Sequence, residues 1–207
     1  MRNEATRPTR VMRKEVAEVA SNQVPTDFNL LPAVARPNIP TPETVVTPHK
    51  VLLVGEVNPL GPDPRHALYH LPRASSGNRL RCIVGLTDLE YHRLLDKVNL
   101  CVGEWSSRQA APLLAELVLS RRGVVVLLGA RLRAAARTLL RRGLLPGVEV
   151  EFFSKVTLGS GLVLVFLPHP SGLCRLWNVP GAPARARALL RQVAPQVPWG
   201  RDPETVP

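Results

Sequence analysis

Cysteine is scarce in this chain: Cys82, Cys101 and Cys174 are the only three in 207 residues. No two form a CxxC pair, and none stands beside a histidine at zinc-ligand spacing. That excludes a disulfide framework and a structural zinc site, and three thiols fall short of the four that hold an iron-sulfur cluster. No metal and no cofactor is expected. The chain also lacks any run of about eighteen apolar residues, the minimum for a membrane-spanning helix. Its opening residues, MRNEATRPTRVMRKE, scatter charge where a secretory leader has a basic end followed by an apolar stretch. The expectation is a soluble, cytoplasmic protein with no membrane partner, and a monomer. A GxxxxGK phosphate loop and a metal-binding carboxylate cluster are missing too, which argues against a nucleotide hydrolase.

What is present is a 45% hydrophobic composition, enough for one well-buried domain of ordinary size with some chain left over. The net charge is +11, and its location matters. Residues 1–48 carry six Lys/Arg against five Asp/Glu, leaving 21 against 11 for the rest, so the excess lies in the part expected to fold. A basic domain suits a polyanion, because phosphate contacts by Lys and Arg release condensed counterions. Arginine makes up 23 of the 27 basic residues, a bias that genome composition produces as well, so charge alone does not assign a nucleic-acid partner.

Seven of the 21 prolines fall in residues 1–48, which read as an extended arm. At Lys50 the texture changes to KVLLVGE, an apolar run of the kind that forms a buried parallel strand and then enters a loop. Helices are expected over 76–84 and from Thr87, where Thr87 and Glu90 have capping-box spacing. A strand over 96–101 follows, then a helix from the Ser106–Gln109 box to about Ser120, and the clearest strand, GVVVLLG, at 123–129. A helix over 131–142 sets Arg133, Arg137 and Arg141 on one face, solvated or phosphate-facing. Strands near 148–153 and 162–167 and a helix over 182–193 complete the alternation. This order implies a three-layer α/β/α domain over 49–196 with a largely parallel central sheet and its ligand site at the strand ends. Residues 197–207 read as a disordered tail.

Three polar clusters follow expected strands: GEVNPLGPDP at 55–64, NLCVGEW at 99–105 and HPSGLCRLWN at 169–178. The carboxyl ends of parallel strands meet along one edge, so these loops can share a crevice. Each has an ordinary reading as a turn or a surface loop.

Together and in this order, the clusters resemble the uracil-DNA glycosylase superfamily. VGEVNP at 54–59 resembles the water-activating GxNP loop of the mismatch-specific and single-strand-selective branches, VNLC at 98–101 is similar to the base-reading strand, and HPSG at 169–172 to the catalytic histidine loop. The resemblance spans about residues 50–195 in element order. It implies that the partner is DNA and that the reaction is hydrolysis of the N-glycosidic bond of a flipped uracil-like or 5-modified pyrimidine, as in base excision repair. His169 would donate to the base as it leaves as an anion. Asn58 would hold the attacking water, since an amide positions a water but takes no proton at neutral pH; Asp63 and Glu56 are the nearby carboxylates that could substitute. Asn99 would read the base edge through its amide, although a structural Asn at a strand end has the same appearance. Glu56 and Leu60 would border the base, and Tyr69 would stack on it or belong to the core.

After the HPSG turn, Leu173 or Leu176 would be the wedge that fills the vacated stack. Ser171 and Arg175 would contact the strand, Trp177 would contact it or anchor the loop, and SSGNR at 75–79, with Arg79 at a helix start, would meet a second phosphate or be an ordinary helix cap. The first loop carries one residue more between Gly55 and Asn58 than the family pattern, and Leu60 stands where a methyl-excluding side chain would, so a base larger than uracil is admissible. The alternative function is a catalytically weak or inactive module of the same fold that binds DNA containing modified bases.

Overall fold

The computed structural model describes residues 50–57, 63–143 and 150–200. Asn58 and Leu60, the arm 1–48 and residues 201–207 lie outside them. Strands β1 (Val51–Val57), β2 (Leu95–Cys101), β3 (Val124–Leu128), β4 (Ser154–Thr157) and β5 (Val163–Leu167) form one five-stranded sheet in the order β2-β1-β3-β5-β4. The first four strands of that order run parallel, and β4 is antiparallel to β5 at the edge.

The β1 run alternates its loyalties. Val51 and Leu53 face a cluster that includes Leu80 and Ile83 of α1 (Ser76–Val84), Tyr91 of α2 (Asp88–Arg93) and Ala186 and Leu190 of α5 (Ala182–Val193). Leu52 and Val54 face Leu114 of α3 (Ser107–Ser120) and Leu132 and Leu139 of α4 (Ala130–Arg141). Helices thus cover both faces, which makes three layers. A strand buried on both faces must be apolar throughout, which is why KVLLVG and GVVVLL read as unbroken runs. Each such side chain removed from water contributes about 1.5–3 kcal/mol before chain entropy is set against it.

The helix starts follow the expected chemistry. Ser75 accepts from the Asn78 N–H at the head of α1, Thr87 and Glu90 close a reciprocal box at α2, and Ser106 accepts from the Gln109 N–H at α3.

Two expectations are corrected. The strand placed near 148–153 lies at Ser154–Thr157: Phe153 has a positive φ of 60° and turns its ring onto Trp177 (5.5 Å between centroids), while the Arg185 guanidinium covers its other side. The segment 197–200, read as disordered tail, is ordered. Val197 and Trp199 are buried in the α1–α5 cluster, the Trp199 indole N–H donates to the Ala194 carbonyl (2.8 Å), and the Gly200 N–H donates to Val84 (3.0 Å).

Two of the three arginines on the α4 face are paired, while Arg141 is exposed and bonds Thr138 of its own helix. Arg133 and Arg137 both pair with Glu151, and the Arg133 guanidinium lies over the Phe152 ring.

Candidate functional site

The parallel strands deliver the three polar clusters to one edge of the sheet. A cavity of about 530 Å³ opens there, lined by Glu56 near the end of β1, Asn99 of β2, Arg131 of α4 and His169 after β5, with a wall from the β1–α1 connection that includes Tyr69 and Ser75. Asn99 and His169, 70 positions apart in sequence, line the same cavity from the two sides of β1 and β3.

Asn99 stands opposite Gly55 in the β1–β2 register. Its amide lies so close over Gly55 that a Cβ there would collide with Asn99 Oδ1. The absent side chain is what lets the amide lie at the cavity floor. Gly129, the residue before α4, has a φ of 116° and does the same for Glu56: any Cβ would fall on the Glu56 carboxylate and 3.3 Å from the His169 Cβ. Glu56 Oε1 accepts from the Arg131 backbone N–H at 3.2 Å, so its charge sits at the positive end of α4.

His169 is half-buried. The Ser171 N–H donates to its Nδ1 (3.2 Å), so in the neutral ring the proton is on Nε2. Burial pushes its pKa below the ordinary value, Glu56 opposes that shift, and Arg131 adds to it. The ring is therefore uncharged at neutral pH and offers Nε2–H as a donor.

The backbone around it is fixed from behind. The Trp177 indole N–H donates to the His169 carbonyl (3.0 Å), and Arg79 Nη1 donates to the Ser171 carbonyl (3.0 Å) while Nη2 donates to Asn178 Oδ1 (3.2 Å). Trp177 is buried, 5% exposed, and so takes the anchoring one of its two expected places. Arg79 is engaged with the histidine loop through both terminal nitrogens. Leu173, by contrast, is 92% exposed at the loop's tip, with Leu176 at 42% on the same segment. Holding an isolated leucine in water forgoes the stabilisation its burial would bring. Arg175 is exposed between them.

Tyr69 is half-buried on the cavity wall, with its ring edge-on to His70 at 4.9 Å. The wall hangs on α1 and α2: the Tyr91 hydroxyl donates to the Leu68 carbonyl (3.0 Å), the Ser75 hydroxyl donates to the Tyr69 carbonyl (2.9 Å), and Gly77 sits directly beneath both carbonyls. Behind Tyr69, His92 Nε2 and His70 Nδ1 share one hydrogen bond of 2.8 Å. Asp63, weighed as a substitute base, is not among the residues lining the cavity; it is clasped by Arg65, whose bonds hold its pKa down to about 2. That leaves Glu56 as the lining carboxylate among the described residues.

Sequence reasoning missed Arg131, since a lone arginine in the first turn of a helix has no signature. It also missed Trp105, whose ring the Arg131 guanidinium overlies at 5.8 Å. Among the described residues, no group of three or more His, Cys, Asp or Glu is placed to hold a metal ion. No described helix is long and apolar enough to cross a membrane. Compared with protein-family models, curated proteins and solved structures, the chain shows no significant match to any.

Proposed function

We propose that this chain is a monofunctional DNA glycosylase that hydrolyses the N-glycosidic bond of a uracil-like or 5-modified pyrimidine turned out of the DNA stack. The observation that carries the reading is that the Asn99 amide and a neutral, Nε2-protonated His169 line one cavity. An amide reads the N3–H and 4-oxo edge of a pyrimidine with one acceptor and one donor. When the C1′–N1 bond breaks, its electron pair goes to the base, and the negative charge gathers on the 2-oxo group. A fixed imidazole N–H stabilises that charge without having to be an acid. Water then adds to C1′ of the sugar cation and loses a proton to solvent.

The glycosylase resemblance of the 54–59, 98–101 and 169–172 motifs supports the same assignment and gives Asn58 the task of holding that water. The exposed Leu173 suits a wedge that occupies the gap left by the base. No lysine is among the described residues lining the cavity, so a Schiff base and strand cleavage are not expected. Repair of DNA inside the cell is the setting that this chemistry implies.

The test is direct. Purified protein is incubated with oligonucleotides carrying uracil, mismatched thymine or 5-hydroxymethyluracil, then treated with alkali. Alkali-labile sites that vanish in His169→Ala and Asn99→Ala support the proposal. Tight binding of modified DNA with no labile site from any substrate would sink excision and leave a base-binding module.

A further inference from the structure

A nucleotide drawn into a pocket brings its flanking phosphodiesters to the mouth, where they must be met or left in water. Most arginines near the candidate site are engaged elsewhere: Arg79 with Ser171 and Asn178, Arg133 and Arg137 with Glu151, Arg81 with Asp88. Arg131 differs. It lines the cavity, and its side chain is 58% exposed. Its backbone N–H is tied to Glu56, its guanidinium lies over the Trp105 ring at 5.8 Å, and Nη1 comes within 3.7 Å of Glu56 Oε2. That approach is longer than a hydrogen bond, so it spends none of the five N–H donors of the group.

The guanidinium thus lies over an indole and beside a carboxylate, contacts that reduce the rotamer freedom lost when it grips a ligand. A planar fork held this way matches the paired oxygens of a phosphate. Trp105 is itself fixed, its indole N–H donating to Ser107 Oγ at 3.1 Å.

We propose that Arg131, steadied on Trp105, is a phosphodiester clamp at the mouth of the cavity, taking the backbone phosphate beside the extruded nucleotide. This rests on the glycosylase reading for the identity of the strand, although not on excision. A guanidinium standing between Glu56 and the phosphate offsets part of the repulsion between the two anions.

The experiment measures binding of the full chain to a duplex carrying a 2′-fluorinated deoxyuridine, which resists cleavage, between 50 and 200 mM salt, alongside excision from the cleavable duplex. The substitution Arg131→Gln is expected to weaken binding roughly tenfold and to reduce the slope of log K against log salt by about one. Trp105→Ala is expected to weaken it severalfold and Trp105→Phe far less. Arg131→Lys, a milder change should Arg131→Gln fold poorly, keeps the slope but loses the fork's affinity. A methylphosphonate beside the flipped nucleotide should weaken the wild type about as much as Arg131→Gln does, and should add little to that variant.

Penalties that multiply, or an unchanged salt slope, overturn the clamp. An Arg131 dependence seen with deoxyuridine monophosphate but not with the oligonucleotide overturns it in favour of a free nucleotide. An intact Arg131 effect with no abasic product from any substrate overturns excision and leaves the clamp standing; excision with no Arg131 effect does the reverse.

Discussion

Gly55→Ala adds one methyl group, and its consequence can be worked from the packing of the β1–β2 register. The new Cβ would lie 2.3 Å from Asn99 Oδ1 and 3.4 Å from Leu68 Cγ. The leucine contact is ordinary. The amide, however, must retreat by about 1 Å to reach normal separation. Because Oδ1 ends a flexible side chain, the strain is relieved by rotation of Asn99 rather than of the sheet. Gly55 is not among the positive-φ glycines, and alanine in a strand interior recovers roughly 0.5–1 kcal/mol of backbone entropy. Stability should therefore stay within about 1 kcal/mol of wild type, a Tm change of roughly 2–4 °C for a chain of this size.

Base reading should not survive as well. A bidentate amide–base pair is worth about 1–3 kcal/mol, so kcat/KM on a pyrimidine substrate should fall roughly 5- to 150-fold, at ~1.4 kcal/mol per tenfold. Single-turnover excision and thermal melting on the same preparation separate the two effects. Asn99→Ala should show a similar loss, and the double variant little more than either single one, since both remove one interaction. Wild-type excision by Gly55→Ala alongside a crippled Asn99→Ala would refute this account of the site.

Three further outcomes follow from the same geometry. Trp177→Phe should keep most of the packing but lose the bond to the His169 carbonyl, at a cost of about 0.5–1.5 kcal/mol in unfolding free energy; excision should fall with it, and a melting curve identical to wild type would count against the anchor. Leu173→Ala should leave Tm unchanged because the side chain is exposed, and should slow excision from duplex more than from single-stranded substrate, which needs no wedge; equal slowing on both would contradict the wedge. His169 should retain excision below its ordinary value of 6.5, because burial depresses its pKa and the neutral ring is the working form. The sign for stability is the same: the unfolded chain takes up the proton first, so the contribution is full above 6.5 and is lost as pH falls toward the depressed value. An acid limb of kcat/KM centred at or above 6.5 would exclude this role.

The architecture was legible because its signals are local. Apolar runs bounded by glycine mark the strands buried on both faces, and Ser75, Thr87 with Glu90, and Ser106 mark helix starts through bonds to residues three positions on. The cavity was legible only in part, through clusters that follow strands. What escaped depends on partners distant in sequence. Phe153 looks like strand by propensity, but Trp177 and Arg185 hold it in a turn. Trp199 lies among prolines and glycine, yet a groove between α1 and α5 receives it. Arg79 and Arg131 are alike as letters. One is engaged by Ser171, 92 positions away, and the other faces the cavity, so periodicity could not assign their roles.

The wall of the cavity has a further meaning for how such a protein can change. Much of it comes from one connection between β1 and α1, whereas Glu56 and Asn99 stand on β1 and β2 and His169 just past the end of β5. Ala67 and Leu68 of that connection are buried, but His66, Leu71, Pro72 and Ala74 line the cavity and are exposed, so replacements at those four positions leave strand register and both helical layers untouched. On the proposed reading, selection or a library confined to them could therefore explore which base the cavity accepts while Asn99 and His169 are inherited unaltered.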